Sequence, residues 1–515
     1  MKLVLSLLVF LTSSLLANKQ PNIVLIVADD MGHDDVGYHG NKRILTPHID
    51  SIAEQGVQFS QAYVSASVCG PSRSGLLTGV YQQRFGCGEN PNGAGFPDKM
   101  KFPLAGLPTS QSMISEELKA LGYTNGMIGK WHMGFDLSLR PNQRGYDFFY
   151  GFINGSHDYT EWTQEFAKNK SRWPIFRNEE MEPANKAEFL DVFKDKDAKV
   201  VDKNYLTDLF THEAVNFIDR NAEKPFFLYL AYNAVHHPWQ TTQHALDKTK
   251  HLSDDENYHV FASMVYAMDE GIGKVMDKLK EKGIDDNTIV IFLTDNGSPQ
   301  GQGIDRVKKD STRHRGGFTM SSTGIFRGYK GDTYEGGIRV PFCIKWPGKI
   351  KAQSNYDHPI SALDLQPTLV KAAGGNDKKP LKGFAYDGVD ILPFIQGSKG
   401  DKEPHKTLFW RRDTDYAIRK GDWKLQWNDS HGPLTITLFN IKDDPAEKKN
   451  VIRQHPELAQ QLQDEFDAWD NDLPDNEWWG GPWNRLRHTK GKKVDVAKFN
   501  QNPPTDRNSR RKIRQ

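Results

Sequence analysis

Three apolar runs of strand length constrain this chain more than any other feature: Ile23–Val27, Phe226–Leu230 and Ile289–Leu293. Each is short and free of charge, so it reads as a strand buried on both faces. Longer stretches of helical period lie between them, over Ser110–Leu121, Tyr205–Asp219 and Asn257–Lys280, with Ser110 placed to cap the first. That alternation predicts an α/β fold with a large, mostly parallel mixed sheet flanked by helices. From about Phe384 the texture changes. Asp415–Leu425 and Leu434–Asn440 alternate as antiparallel strands do, and Pro456–Trp469 reads as a helix. A smaller C-terminal α+β subdomain with an antiparallel sheet is therefore expected. The boundaries read from the sequence are 1–17 for an export signal, 18–383 for the large domain, 384–490 for the subdomain and 491–515 for a basic tail.

The N-terminus has the order of an export signal: Lys2, an apolar run from Leu3 to Leu16, then Ala17 as a cleavage position. The run is too short to span a bilayer. A soluble protein, secreted or periplasmic and with no membrane insertion, is expected. Formal net charge is +1, and losing Lys2 with the signal leaves about zero, so average charge names no partner. From Arg485 to Gln515, however, eleven Lys or Arg face two Asp. Such a tail is either a solvated, disordered end or a patch for a polyanion. Nucleic acid is not expected as a partner. Three cysteines, Cys69, Cys87 and Cys343, are too few for a disulfide scaffold, so a large core must carry stability. Cys87 and Cys343 could pair or stay free.

The residues just past each strand locate the chemistry. Ile23–Val27 runs into Asp29 and Asp30, and Ile289–Leu293 into Asp295 and Asn296. Phe226–Leu230 leads to His236, and a further strand, Thr124–Ile128, leads to Lys130 and His132. Open α/β sheets bind ligands beyond the carboxyl ends of their strands, so these residues describe one site. A loop carboxylate or a satisfied histidine explains any one of them; the recurrence at four strand ends does not reduce to that. Asp29, Asp30, Asp295 and Asn296 offer oxygen ligands, which suit Ca²⁺ or Mg²⁺ and argue against zinc. Clustered carboxylates are unfavourable without a cation. Pro71 suits a first helical turn, which puts Cys69 at a helix N-terminus where negative charge is favoured, with Arg73 one turn on. An ordinary buried thiol would not require these neighbours.

The run Cys69-Gly70-Pro71-Ser72-Arg73, continued by Leu76, Thr78 and Gly79, resembles the maturation signal of the formylglycine-dependent type I sulfatases of the alkaline phosphatase superfamily. Asn22–Met31, Gly129–Gly134, Ser156–Asp158, Ala234–Pro238 and Gly331–Gly337 resemble further segments of that family, so the likeness runs from Asn22 to Asn450. Val80 stands where the family commonly has arginine. Val235 replaces a usual proline, which leaves the choice between His236 and His237 open. The resemblance implies an alkaline phosphatase-like fold, one Ca²⁺ (preferred over Mg²⁺), and Cys69 oxidised to formylglycine by a formylglycine-generating enzyme before folding. It implies metal ligands Asp29, Asp30, Cys69 after oxidation, Asp295 and Asn296. It implies catalytic roles for Cys69, Arg73, Lys130, His132, His236 and Lys330: the hydrated aldehyde attacks sulfur, the lysines hold sulfate oxygens, His236 protonates the leaving oxygen, and His132 helps release sulfate. Ser156 is implied as a sulfate contact.

Between Asn296 and Lys330 a polar loop carries Arg306, Lys308, Lys309, Arg313, Arg315 and Arg327. A loop of that length is functional or disordered, and its charge suits a multiply sulfated substrate, with Arg315 and Arg327 as binding candidates. Trp478, Trp479 and Trp483 beside Arg485 and Arg487 could hold sugar rings or be subdomain core. Together with the Arg84–Asn90 segment, the loop resembles exported bacterial sulfatases of carrageenan-type galactans. Glycosaminoglycan esters are the main alternative substrate. A phosphate or phosphonate monoester hydrolase and a non-catalytic sugar-binding derivative are the readings from other classes. Oligomeric state is unknown from sequence.

Overall fold

The structure is a computed structural model that describes residues 20–91, 105–159, 175–178, 180–181, 204–299, 320–412, 415–428, 435–474 and 496. The export segment, Arg306, Lys308, Lys309, Arg313, Arg315, the three tryptophans from Trp478 to Trp483, Arg485, Arg487 and all of the basic tail but Val496 lie outside the described residues.

Sixteen strands occur among the described residues. The first eight are β1 (Asn22–Ala28), β2 (Val57–Phe59), β3 (Ala62–Tyr63), β4 (Thr124–Lys130), β5 (Phe148–Phe152), β6 (Phe176–Arg177), β7 (Glu180–Met181) and β8 (Phe226–Ala231). The other eight are β9 (Thr288–Thr294), β10 (Phe342–Lys345), β11 (Ser354–Tyr356), β12 (Ile360–Ser361), β13 (Thr407–Arg412), β14 (Asp415–Lys420), β15 (Trp423–Asn428) and β16 (Thr435–Asn440). Six of the helices are α1 (Pro47–Glu54), α2 (Cys69–Thr78), α3 (Ile114–Ala120), α4 (Leu206–Asn221), α5 (Glu256–Glu281) and α6 (Pro456–Asn471).

Ten strands form one sheet in the order β11-β2-β10-β9-β1-β8-β4-β5-β6-β7. The five central ones, β9, β1, β8, β4 and β5, are mutually parallel, with β1 in register as Ile23↔Phe227 on one side and Ile23↔Ile289 on the other. Antiparallel β10 and the β6–β7 ribbon make the sheet mixed. Strand pleating explains why the apolar runs show no alternation. Ile23, Leu25 and Val27 enter one core with Leu76, Leu77, Ile114 and Leu118 of α2 and α3. Val24, Ile26 and Ala28 enter the opposite core with Phe210, Phe217 and Met264 of α4 and α5. Both faces of β1 are thus covered, and all seven of its residues are buried.

The second sheet, β13-β14-β15-β16, is antiparallel throughout. Its Ile418, Leu425, Ile436 and Leu438 pack against Leu462 and Phe466 of α6. β3 and β12 form a separate two-stranded sheet, and the C-terminal sheet is tied to the residue after β3: Trp410 donates its indole N–H to the Val64 carbonyl at 2.7 Å. The stretch Asp415–Leu425 is two strands, turned at Gly421 in the left-handed conformation, φ 55°.

One helix starts later than its sequence suggests. Ser110 does not cap Ser110–Leu121; α3 begins at Ile114, with extended Met113 as its first flanking residue. Glu116 accepts from the Met113 N–H at 2.9 Å, which does the capping work. Ser112 is engaged instead with Glu117 at 2.6 Å and with the Lys382 carbonyl. Long-range anchoring outweighs the local cap here.

Candidate active site

The parallel strands end together, and the residues beyond them continue side by side. Asp29 donates its N–H to the Ala234 carbonyl at 2.8 Å, and Asp295 donates to the Ala28 carbonyl at 3.1 Å. Asp30 and His132 then turn the chain with positive φ, 62° and 58°. Asp and His are among the non-glycine types that tolerate this conformation best. Between β4 and β8 a side chain would not fit: a Cβ on Gly129, φ 111°, would lie 1.9 Å from the Ala231 carbonyl oxygen.

Cys69 is the first residue of α2, follows an extended Val68, and is 2 % exposed. The N–H of Gly70 donates to Asn90 Oδ1 at 2.8 Å, so the Arg84–Asn90 segment caps this helix end. Arg73, fully buried, places Nε and a terminal nitrogen each 2.8 Å from Asp295 Oδ2. Its other nitrogen donates to the Lys130 carbonyl at 3.0 Å and to Tyr229 Oη at 3.3 Å. Lys130 Nζ is 2.5 Å from Asp29 Oδ2, and Lys330 Nζ is 2.6 Å from Asp30 Oδ1. Asn296 Nδ2 donates to the same Asp30 oxygen at 2.7 Å. His236 Nε2 faces Asp30 Oδ2 at 3.5 Å while its Nδ1 meets the His237 carbonyl at 2.6 Å; His237 itself is exposed.

Charge is concentrated here in a dry setting. Burial and the neighbouring Asp295 push the Asp29 carboxyl up to about 7, against Lys130. Burial acts on Asp30 too, but Lys330, His236 and Lys130 outweigh it and hold that carboxyl well below the usual range. Burial pushes the His236 imidazole down to about 3, with Asp30 opposing and Lys330 assisting. Burial, Lys130 and Arg73 hold His132 well below an ordinary histidine. Burial raises the Cys69 thiol despite Lys130 and Lys330, so the unmodified thiol is a poor source of thiolate.

The residues fit a hard divalent cation. Ligand atoms of Asp29, Cys69 and Asp295 lie within 4.8 Å of one another, as do those of Asp29, Asp30 and His236. Asp29 Oδ1 and Asn296 Oδ1 are buried without a hydrogen-bond donor. Two orphaned oxygens among three carboxylates are what an oxygen-liganded Ca²⁺ or Mg²⁺ would satisfy. An oxygen-bearing side chain at position 69 would add one more donor of the same kind.

A family model described as Sulfatase matches residues 21–375. The chain belongs to the sulfatase family. It is a sulfuric ester hydrolase of the alkaline phosphatase superfamily. A second model, N-sulphoglucosamine sulphohydrolase, C-terminal, matches residues 329–472 of this sulfatase. Human arylsulfatase A is 30 % identical over 87 % of this chain and 86 % of its own length. Mouse N-acetylgalactosamine-6-sulfatase is 32 % identical over 81 % of this chain and 75 % of its own. The crystal structure of Ps i-CgsB in complex with k-i-k-neocarrahexaose is 33 % identical, with a TM-score of 0.74 over 90 % of this chain and 96 % of that one.

Asp29, Asp30, Cys69, Arg73, Lys130, His236, Asp295, Asn296 and Lys330 thus form one connected cluster, with His132 two residues beyond Lys130. Ser156 is exposed and follows Gly155, whose α-carbon faces the His132 ring. Arg327 is not part of the cluster: it donates to the Glu447 carbonyl at 3.0 Å and stacks 4.1 Å over the Tyr334 ring. Cys87 and Cys343 are both free and buried. Sequence reasoning gave no role to Tyr229 and Asn90, which contact Arg73 and the start of α2. Nor did it find the C-terminal residues Arg412, Lys424 and Glu447, which reach the Lys330 loop. Among the described residues, no helix is long and apolar enough to cross a membrane.

Proposed function

We propose that this sulfatase is an exported carbohydrate sulfatase that removes sulfate from a sulfated poly- or oligosaccharide of the carrageenan type. Cys69 would act after oxidation to formylglycine, and Asp29, Asp30, Asp295, Asn296 and position 69 would hold one Ca²⁺. The observation that carries the reading is the meeting of three carboxylates, two lysines and a buried arginine at the N-terminus of the Cys69 helix. The cation, when bound, would draw charge from sulfate oxygens, and the oxidised residue 69 would supply the attacking oxygen. Arg73, tied to Asp295, fixes the floor of the site. Lys130 Nζ and Lys330 Nζ can turn from carboxylate to sulfate oxygens and spread their charge. His236 donates Nδ1–H to the His237 carbonyl, so the neutral ring presents a bare Nε2 beside Asp30, and it serves as acid toward the leaving sugar oxygen once that nitrogen has taken up a proton. His132, buried and held neutral, can accept a proton at a ring nitrogen during sulfate release.

A galactan substrate is favoured by the neocarrahexaose bound to the similar Ps i-CgsB structure. A glycosaminoglycan is the second reading, favoured by the N-acetylgalactosamine-6-sulfatase likeness and by the C-terminal family model. The test is free sulfate released from intact carrageenans, their oligosaccharides and glycosaminoglycans, after co-expression with a formylglycine-generating enzyme. Cys69→Ser serves as the blank. Release from carrageenans supports the first reading, and release from glycosaminoglycans alone supports the second. No release from either, with the aldehyde confirmed by peptide mass, would remove both.

A further inference from the structure

Lys330 sits on a loop that the C-terminal sheet grips from behind. Three charged side chains meet there with no exposed surface: Lys424 Nζ lies 2.8 Å from Glu335 Oε1 and 2.9 Å from Glu447 Oε1. Lys424 belongs to β15, and Glu447 lies beyond β16 in a left-handed turn, φ 50°. Glu335 opens the one-turn helix Glu335–Ile338 that directly follows the Lys330 loop. The second oxygen of Glu447 accepts the backbone N–H of Glu335 at 2.7 Å. The second oxygen of Glu335 accepts from Tyr63 Oη at 2.6 Å and faces Arg339 at 3.4 Å. Arg419 of β14 completes the cluster through Tyr63.

The same loop is stitched to the catalytic elements at its other end. Lys330 donates its N–H to the Ser298 carbonyl at 2.6 Å, two residues past Asn296. Gly331 donates to the Ser67 carbonyl at 2.8 Å, two residues before Cys69. Arg412, at the end of β13, donates to the Gly331 carbonyl at 3.0 Å. The C-terminal sheet therefore holds the loop at two points four residues apart.

Burying three charges is costly, and apolar replacements of such clusters are commonly as stable or more so. Their worth must be sought in geometry. We propose that Glu447 and Lys424 are positioning residues that fix the Lys330 loop, and with it the Lys330 ammonium, against the sulfate group. This rests on the reading of Lys330 as a sulfate ligand. Burial of Glu335 is outweighed by Lys424, Arg339 and Arg419, which hold its carboxyl at about 2, while burial and Glu335 lift Glu447 to about 7. Both Glu447 oxygens face donors, one the Glu335 N–H and the other the Lys424 ammonium, and glutamine can reproduce only one of these contacts.

The experiment is calorimetric titration of inorganic sulfate into the full-length, matured, Ca²⁺-loaded enzyme. Glu447→Ala should weaken sulfate about ten-fold, an ångström-scale misplacement being worth at least that. Glu447→Gln should recover part of that loss, because its amide oxygen still accepts the Glu335 N–H while its NH2 is left facing the Lys424 ammonium. The combined Glu447→Ala, Lys330→Ala protein should bind no worse than Lys330→Ala alone, since both changes remove one interaction. If Glu447→Ala does not fold, Glu447→Asp, which withdraws the acceptor by one methylene, goes through the same cycle. Additive losses, or unchanged sulfate affinity in folded Glu447→Ala or Glu447→Asp, overturn the positioning role. Unchanged affinity in Lys330→Ala instead overturns the reading of Lys330, and the clamp's role with it.

Discussion

Gly155→Ala is a small change with a calculable consequence. Gly155 is not among the glycines with positive φ, so alanine suits its backbone. Its methyl carbon, however, would stand 2.6 Å from both Cε1 and Nε2 of His132, where ordinary contact begins at 3.4 Å. The imidazole must withdraw by about 0.8 Å, because its own backbone is pinned by His132 N–H on the Ile153 carbonyl and Trp131 N–H on that of Phe152. Overpacking of this kind costs about 1–3 kcal/mol of stability. Displacing a catalytic group by nearly an ångström costs up to about a hundred-fold in rate. Turnover of an activated aryl sulfate, followed well below the unfolding temperature, should therefore fall about 10- to 100-fold. His132→Ala and the double variant should be no slower than each other. Turnover within about two-fold of wild type in folded Gly155→Ala, or a double variant clearly slower than His132→Ala, would refute the role given to His132.

The other predictions concern the metal, the acid and the fold. Removing divalent ions and restoring Ca²⁺ at about a hundred-fold excess over Kd should recover about 2.7 kcal/mol, read as a rise in Tm. Asp29→Asn should shrink that rise, and no response to Ca²⁺ or Mg²⁺ would sink the oxygen-liganded site. His236→Ala should slow sugar sulfates far more than activated aryl sulfates, by about 10²–10⁴-fold where protonation of the leaving group matters. If His237→Ala shows that pattern instead, the acid is misassigned. His405 Nε2 lies 2.7 Å from Asp364 Oδ1; burial works against its proton, but Asp364 and then Asp387 raise its affinity above the ordinary value. A raised folded-state value means that this stabilisation is whole below about pH 6.5 and fades as pH climbs through the folded value. The urea midpoints of wild type and His405→Gln should accordingly converge as pH rises above about 6.5, and a gap independent of pH would contradict it.

Much of this site was legible because its residues come in short contiguous pieces at strand ends. Asp29-Asp30 and Asp295-Asn296 each follow an apolar run, and pleating plus topology then bring them together. Cys69 at a helix start was readable from Pro71 and the turn chemistry around it. The clamp was not readable in that way. Glu335 and Glu447 stand 112 residues apart, and each looks like an ordinary surface carboxylate until two sheets are docked. Arg327 shows the opposite case: its charge and its neighbourhood suggested a ligand, while its contacts in the structure are Tyr334 and the Glu447 carbonyl. Ser110 shows the same competition on a smaller scale, a good local cap made irrelevant by what Ser112 finds near Lys382.

The central place of β1 sets a schedule. It is the first strand made, yet both its neighbours, β8 and β9, arrive late, ending at Ala231 and Thr294. In the finished protein Cys69 is sealed at 2 % exposure, out of reach of any second enzyme. Between synthesis of Gly79 and of Thr294 lie about 215 residues, or about 10–40 s at ordinary elongation rates. For that interval the cysteine segment cannot be enclosed, since the strands that would bury it do not yet exist. If Cys69 is oxidised as proposed, strand order alone would give the oxidising enzyme its opportunity. A circular permutant that brought β8 and β9 ahead of β1 would fold to the same sheet but shorten that opportunity, and it should emerge with more unconverted cysteine.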